Sequence, residues 1–494
     1  LTVSDEATPP LNVTAARGVA ILVGRTLSLQ LLTAGVTLVL ARLLSPADYG
    51  LFAIAAAAQA LAQAASGVGL SAALIRLSDD PAAAQQRSVT GFLFVTGLGF
   101  AAAATALAFA GLPALGLEGE ALKVTAVATL AIPIYAIRAV PMVMLERHLN
   151  FGRVAAVETA ETLGFNVFAL AAALAGLGAF SLAGAIPLAA LAGAGVARSL
   201  GGAAPGLSFD FAPVRPLAHF GLRASGLRLG TLAKGLGFVT LVSAIGGTSV
   251  TGFYAMAERL FTVPTALASA VQRVSFPALA RSAAERPRRA ARATVLSAAL
   301  ASLPLALLAG ASHALVTVLL GDRWLPTVDL VLTAAPGMLL SASAIPAMTG
   351  LALSEGRARG PFIAVGGSAV VLAGVSAVAI PGLDTAGVGI ALSASAVATV
   401  GILGLHADRE MRTAGAPVAR ALVVGAIAAA AGYLLPVPES VAGLLLRLGL
   451  TGAVWAGLGA LVMRPELPAA LKIAWPILPE RLRATVARYR GGHM

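Results

Sequence analysis

The chain has 494 residues, 58% of them hydrophobic and 11% charged, with a formal net charge of +12. No soluble core absorbs that much apolar surface, so soluble enzymes and soluble binding modules are excluded as classes, and the positive charge reads as loops against membrane phosphates, with no nucleic acid as partner. Zero cysteines exclude disulfides, thiol nucleophiles and thiolate metal sites, and the five histidines lack ligand spacing, so neither a metal nor a cofactor is expected.

Residues 1–17 are polar and include Asp5 and Glu6, unlike the basic start and short apolar core of a cleaved secretory signal. They read as a cytoplasmic N-terminal segment. About fourteen apolar stretches follow, each close to the roughly 20 helical residues that cross a hydrocarbon core about 30 Å thick. They are placed at 18–44, 50–75, 88–112, 121–144, 154–177, 180–199, 220–247, 252–279, 293–320, 328–353, 360–380, 386–406, 418–435 and 441–463. The predicted fold class is therefore an all-α polytopic membrane protein. An N-lobe of six helices spans 18–199, and a Gly-, Pro- and Ser-rich inter-lobe linker spans 200–219. A C-lobe of six helices spans 220–406, and two extra helices lie in 418–463. The tail, 464–494, interleaves Leu471, Ile473, Trp475, Leu478, Leu482 and Val486 with Lys472 and arginines. It reads as a basic amphipathic cytoplasmic segment on the inner leaflet, against a plain disordered basic tail.

Even threading returns both termini to one side. With the N-terminus in the cytoplasm, 24 of the 34 basic residues fall in cytoplasmic segments and only Arg42, Lys123 and Arg323 in outer ones. That bias sets the orientation, with both termini cytoplasmic. The two lobes also resemble each other. Asp48-Tyr49-Gly50-Leu51-Phe52-Ala53 follows the first span, and Val250-Thr251-Gly252-Phe253-Tyr254-Ala255 follows the seventh. Six crossings separate the copies, so they share one orientation and imply a pseudo-two-fold axis along the membrane normal.

Ionisable groups inside a span cost roughly 2.5–3.5 kcal/mol each on insertion scales and so mark candidate sites. Arg138 lies in the fourth span, with Glu158 and Glu161 at similar depth in the fifth; they read as a local ion pair or as an ion-coupling group. Glu258 and Arg259 begin the eighth span, where snorkelling to the outer interface accounts for both. Arg25 and Arg228 occupy matching places in the first helix of each lobe, and Lys234 reaches near the bilayer middle with no acidic residue within two turns on its own helix. If those helices line a central cleft, the cleft is cationic and suits phosphate, which arginine binds bidentately and lysine as a mobile point charge. The other reading of Arg25 and Arg228 is interfacial snorkelling. Gln30, Gln59 and Gln63 are suited to sugar hydroxyls or to bridging between helices. No phosphate-binding P-loop, nucleophile elbow or zinc-binding His-Glu helix occurs. An enzyme is not expected.

Four phrases carry a resemblance. They are Ala41-Arg42-Leu43-Leu44-Ser45-Pro46-Ala47-Asp48-Tyr49-Gly50, Leu145-Glu146-Arg147-His148-Leu149-Asn150-Phe151, Ser275-Phe276-Pro277-Ala278-Leu279-Ala280-Arg281 and Leu320-Gly321-Asp322-Arg323-Trp324-Leu325-Pro326. In this order, among fourteen spans, they resemble the Wzx-type lipid-linked oligosaccharide flippases of the MOP superfamily. The resemblance implies two pseudo-symmetric six-helix lobes, an extra helix pair for polyprenyl tails, and alternating access. It implies a polyprenyl-pyrophosphate-linked oligosaccharide as substrate, with membrane lipids and the polysaccharide polymerase and export machinery as partners. Members often carry a basic residue in the seventh span followed closely by Asp-Asn; here Lys234 keeps that place, but Gly237 and Phe238 replace the polar pair.

The expected function is thus a flippase serving capsule, exopolysaccharide or O-antigen synthesis. The alternatives are a flippase for the peptidoglycan lipid precursor, an ion-coupled multidrug antiporter of the same superfamily, which calls for acidic luminal groups, and a membrane-embedded transferase, which calls for clustered carboxylates or histidines.

Overall fold

The computed structural model describes residues 28–463 apart from 31, 68, 78, 118, 202–205, 281–284 and 406. The expected N-terminal segment, Arg25 and the expected amphipathic tail lie outside them. The described residues are helical, without strands. In chain order the helices are α1 (Ser28–Leu43), α2 (Pro46–Gly67), α3 (Leu70–Ile75), α4 (Ala83–Gly111), α5 (Glu120–Thr129), α6 (Ala131–Arg147), α7 (Phe151–Leu174) and α8 (Ala179–Leu200). There follow α9 (Arg215–Ala280), α10 (Arg286–Gly310), α11 (Ser312–Leu315), α12 (Pro326–Ser354), α13 (Arg359–Leu405), α14 (Arg409–Arg412), α15 (Gly415–Tyr433) and α16 (Val441–Val462). Among the described residues, eleven stretches are long and apolar enough to cross a membrane, and the shorter apolar α1 precedes them. The protein is an all-helical, multi-pass membrane protein.

Two of those stretches are longer than one crossing needs. The 47 residues of α13 would extend about 70 Å as one rod, more than twice the hydrocarbon core. Backbone geometry resolves both cases. Asp384 adopts φ 45° inside α13, and Gly247 adopts φ 84° inside α9. Around each break the chain doubles back. Ser395 donates to the Ser368 carbonyl at 3.1 Å across one break, and the rings of Phe238 and Tyr254 meet at 5.2 Å across the other. Gly387 makes the tighter reversal possible, because a Cβ there would lie 2.5 Å from the Ala379 carbonyl oxygen. The segments 215–246, 248–280, 359–383 and 385–405 are therefore separate helices of spanning length. Their ends fall where hydropathy places the ends of the seventh, eighth, eleventh and twelfth spans.

The chain divides into two compact units, 1–45 with 54–226, and 46–53 with 227–494. In the first, α8 packs along α7 and α6, and α6 along α4. Its core gathers Leu70, Leu74, Val89, Leu93, Val140, Val143 and Met144. Residues expected as linker lie on α4 of this unit. The Ser208 amide donates to the Arg87 carbonyl at 3.0 Å, and Phe211 meets Phe92 edge-on at 5.5 Å.

In the second unit, α12 packs along α13 and α10, while α15 and α16 pack on each other and on α10. Outward faces stay apolar, with Val378 82% and Val370 73% exposed. Such faces are stable only against lipid. Pro304, Pro336, Pro346 and Pro381 sit inside these helices, a placement that membrane helices tolerate where neighbours re-satisfy the freed carbonyls.

The repeated phrases meet within the second unit, which includes the first residues of α2. A Cβ on Gly50 would lie 1.9 Å from the Thr248 carbonyl oxygen, and a Cβ on Gly252 would lie 1.7 Å from the Pro46 carbonyl oxygen. Each glycine thus rests on the carbonyl four residues before the other, a reciprocal crossing about a local two-fold axis. Only backbone without side chains approaches this closely.

Candidate functional site

Lys234, in the segment 215–246, is a half-buried cation of the second unit. Its Nζ donates to Ser368 Oγ and to Ser395 Oγ, each at 2.8 Å. Both serines are buried, at 1% and 4% exposure. Each hydroxyl still donates its own proton, Ser368 to the Val365 carbonyl and Ser395 to the Ser368 carbonyl, both at 3.1 Å. The serines therefore present lone pairs to the ammonium. They come from the two halves of the α13 hairpin, so the hairpin reversal at Asp384 is what assembles the site. Among the described residues no carboxylate pairs with Lys234, and its charge is stabilised only by neutral dipoles.

Arg138 and Glu161 form the contrasting pair in the first unit. Arg138 Nη2 donates to Glu161 Oε2 at 3.0 Å, and a second contact joins Nε to Oε1. The side chains are 20% and 18% exposed. Gly193 on α8 provides the seat, since a Cβ there would collide with the Glu161 carboxylate. The guanidinium also lies 5.6 Å from the centre of the Tyr135 ring. Glu158, one turn earlier, is exposed.

The other sequence candidates have surroundings of their own. Gln59 is buried and donates to Gln63 Oε1 at 2.6 Å, so these amides bond to each other along α2. Gln30 is exposed on α1. Arg228 is exposed on the same segment as Lys234, but six residues displace it by about 9 Å and about 120° around the axis. Arg25 lies outside the described residues.

Three features escape a sequence reading. First, the Arg259 guanidinium lies 4.9 Å from the Tyr49 ring centre and 5.9 Å from that of Phe52. Tyr49 in turn meets the fully buried Trp324 edge-on at 5.2 Å, and Trp324 meets Phe253 at 6.0 Å. This cluster joins two of the four resemblance phrases. Second, α10, α12 and α15 enclose an apolar groove of about 340 Å³ lined by Leu305, Leu332, Leu339, Leu422 and Tyr433. Third, Arg147 of the phrase Leu145–Phe151 ties down the end of α3. It donates to the Leu74 and Leu77 carbonyls at 3.1 and 2.7 Å and to Asp80 at 2.9 Å. His148 also bonds Asp80, and these two partners hold the Asp80 carboxyl below its ordinary value of 3.8, with the histidine bond the larger cause.

The family described as "Polysaccharide biosynthesis protein" matches residues 39–329, more than half of the sequence. The chain belongs to the polysaccharide biosynthesis protein family. Among solved structures it is similar to a lipid II flippase MurJ in an inward closed conformation, at 12% identity and a TM-score of 0.72 over 90% of this chain and 99% of that one. It is also similar to a multidrug resistance MATE family transporter of the MOP superfamily in an inward-facing conformation, at 14% identity and a TM-score of 0.60 over 80% of this chain and 95% of that one. At these identities the likeness is one of fold. This family member has the MOP-superfamily fold and is Wzx-like, in accord with the resemblance read from its four phrases. No curated protein sequence matches it.

Proposed function

We propose that this chain flips a polyprenyl-pyrophosphate-linked oligosaccharide from the inner to the outer face of the cytoplasmic membrane by alternating access, with both termini cytoplasmic. The carrying observation is the Lys234 ammonium, half-buried in an apolar helical unit and held, among the described residues, by neutral oxygens alone. A diphosphate crossing hydrocarbon unpaired costs tens of kcal/mol by Born estimates. A cation whose charge is not already spent on a carboxylate is the group able to lower that barrier. Lys234 is the primary contact in this reading, with Arg228 and Arg25 supplying positive potential nearer the inner face. The groove between α10, α12 and α15 holds part of the prenyl chain, since its walls are almost wholly hydrocarbon.

The same geometry weighs against a carrier of cationic drugs. Such a carrier needs a carboxylate facing its cargo, and Glu161 is occupied by Arg138. The MurJ-like fold favours one second reading, the peptidoglycan lipid precursor, which presents the same diphosphate and prenyl chemistry.

Depletion of the protein followed by intact-lipid mass spectrometry separates these readings. A rise in one polyprenyl-linked glycan with loss of its surface polymer is the expected result. A rise in the peptidoglycan precursor alone selects the second reading, and no change in any polyprenyl-linked species overturns both.

A further inference from the structure

A second cavity, of about 420 Å³, opens at the other end of the same unit, where α12, α13 and α14 come together. Its floor is apolar and well packed: Met348, Leu351, Leu403 and Met411 belong to one buried cluster. Its rim is different. Among the described residues, Arg357 and Arg359 are the only charged ones that line the cavity, and both are exposed. Glu355 and Asp408 stand outside the lining and fix the Arg357 guanidinium in place, Asp408 at 3.5 Å and Glu355 in closer contact. These contacts raise the Arg357 pKa, with the Glu355 hydrogen bond the largest cause.

The opening is bordered by apolar side chains that no protein group covers. Leu353 is 46%, Phe362 46% and Ile363 58% exposed. In a membrane protein such residues face lipid, so the mouth lies at the boundary between hydrocarbon and headgroups, where arginines reach phosphate level. An apolar floor with two arginines on its lining, Arg359 without an ion pair found among the described residues, fits an amphiphile carrying one negative charge. A soluble anion has no use for the floor, and a neutral lipid has no use for the rim. These loops also belong to the arginine-rich side of the chain, where anionic lipid headgroups meet basic segments.

We propose that the cavity framed by α12, α13 and α14 binds one anionic phospholipid, its phosphate on Arg357 and Arg359 and the upper part of an acyl chain against Met348, Leu351, Leu403 and Met411. The site is separate from Lys234 and from the α10–α12–α15 groove, and its occupancy does not depend on which glycan the protein moves.

Native mass spectrometry of the full chain released from nanodiscs of equimolar phosphatidylglycerol and phosphatidylcholine tests the proposal. The wild-type chain is expected to retain one phosphatidylglycerol preferentially. Arg359→Gln, which removes no ion pair found among the described residues, should lower that retention about fivefold. Ala352→Phe, which fills the cavity and leaves both arginines, should lower it as much. An unchanged thermal midpoint of each variant shows that folding is intact; where a midpoint falls, competition in wild-type protein decides. There, short-chain phosphatidylglycerol should displace the retained lipid, and inorganic phosphate should not. Equal retention of phosphatidylcholine, wild-type retention in well-folded variants, or displacement by inorganic phosphate alone each overturns the proposal.

Discussion

Arg138 and Lys234 are both cations at depth in apolar helices, and the two units of the molecule treat them in opposite ways. The first unit gives Arg138 a carboxylate partner and a glycine seat for that partner. The second gives Lys234 two hydroxyls and no compensating charge among the described residues. The first arrangement is an ion pair, with its charge compensated locally. The second keeps a net positive charge within a hydrophobic unit, which is a standing cost unless something anionic visits.

That comparison breaks most easily at Glu161. Glu161→Ala leaves the Arg138 charge unpaired and should cost about 3–5 kcal/mol, whereas a double change of Arg138 and Glu161 to Met should be nearly neutral; thermal unfolding in detergent measures both. If the single variant is as stable as the wild type, the pair is not a structural clamp. The next effect is on the hydroxyls. Ser368→Ala combined with Ser395→Ala removes both acceptors of the ammonium and should cost about 1–3 kcal/mol by the same measurement.

Lys234→Ala sharpens the contrast, because its effects should separate. Removal of an uncompensated charge should leave stability within about 1 kcal/mol but cut transport about tenfold, equivalent to about 1.4 kcal/mol of lost interaction. Flipping of a lipid-linked diphosphate in proteoliposomes, with insertion verified, is the readout. Wild-type transport by Lys234→Ala combined with Arg228→Ala would falsify the diphosphate role. The smallest effect belongs to Asp80, whose folded pKa is depressed by His148 and Arg147. Its contribution is fully present above the unfolded value of 3.8 and fades as pH falls through the lower folded value. Amide exchange in α3 should therefore be insensitive to Asp80→Asn near that acid limit and faster in the variant at neutral pH.

Much of this was legible in the sequence because a bilayer imposes a simple rule on it. Hydropathy alone separates 215–246 from 248–280, even though the helix is interrupted by the single residue Gly247. Lys234 is conspicuous because lysine is rare at such depth. Its partners are not, since serine is ordinary in a membrane helix and Ser368 and Ser395 lie 134 and 161 residues away. The ring contacts of Arg259 are hidden for a related reason: Tyr49 and Phe52 are remote from it in the chain. The bond between Gln59 and Gln63 was available from their spacing of four on one helix face.

The crossing of Gly50 with Gly252 carries a consequence for the origin of the chain. Its pattern, in which residue i meets the neighbourhood of j and j meets the equivalent neighbourhood of i, is that of a contact between two identical subunits. A half-length ancestor pairing with its own copy would have met the requirement with one glycine used twice. Duplication and fusion would turn that single codon into two. Each now mutates independently, yet neither is spare, because a side chain at either position strikes the backbone of the other copy.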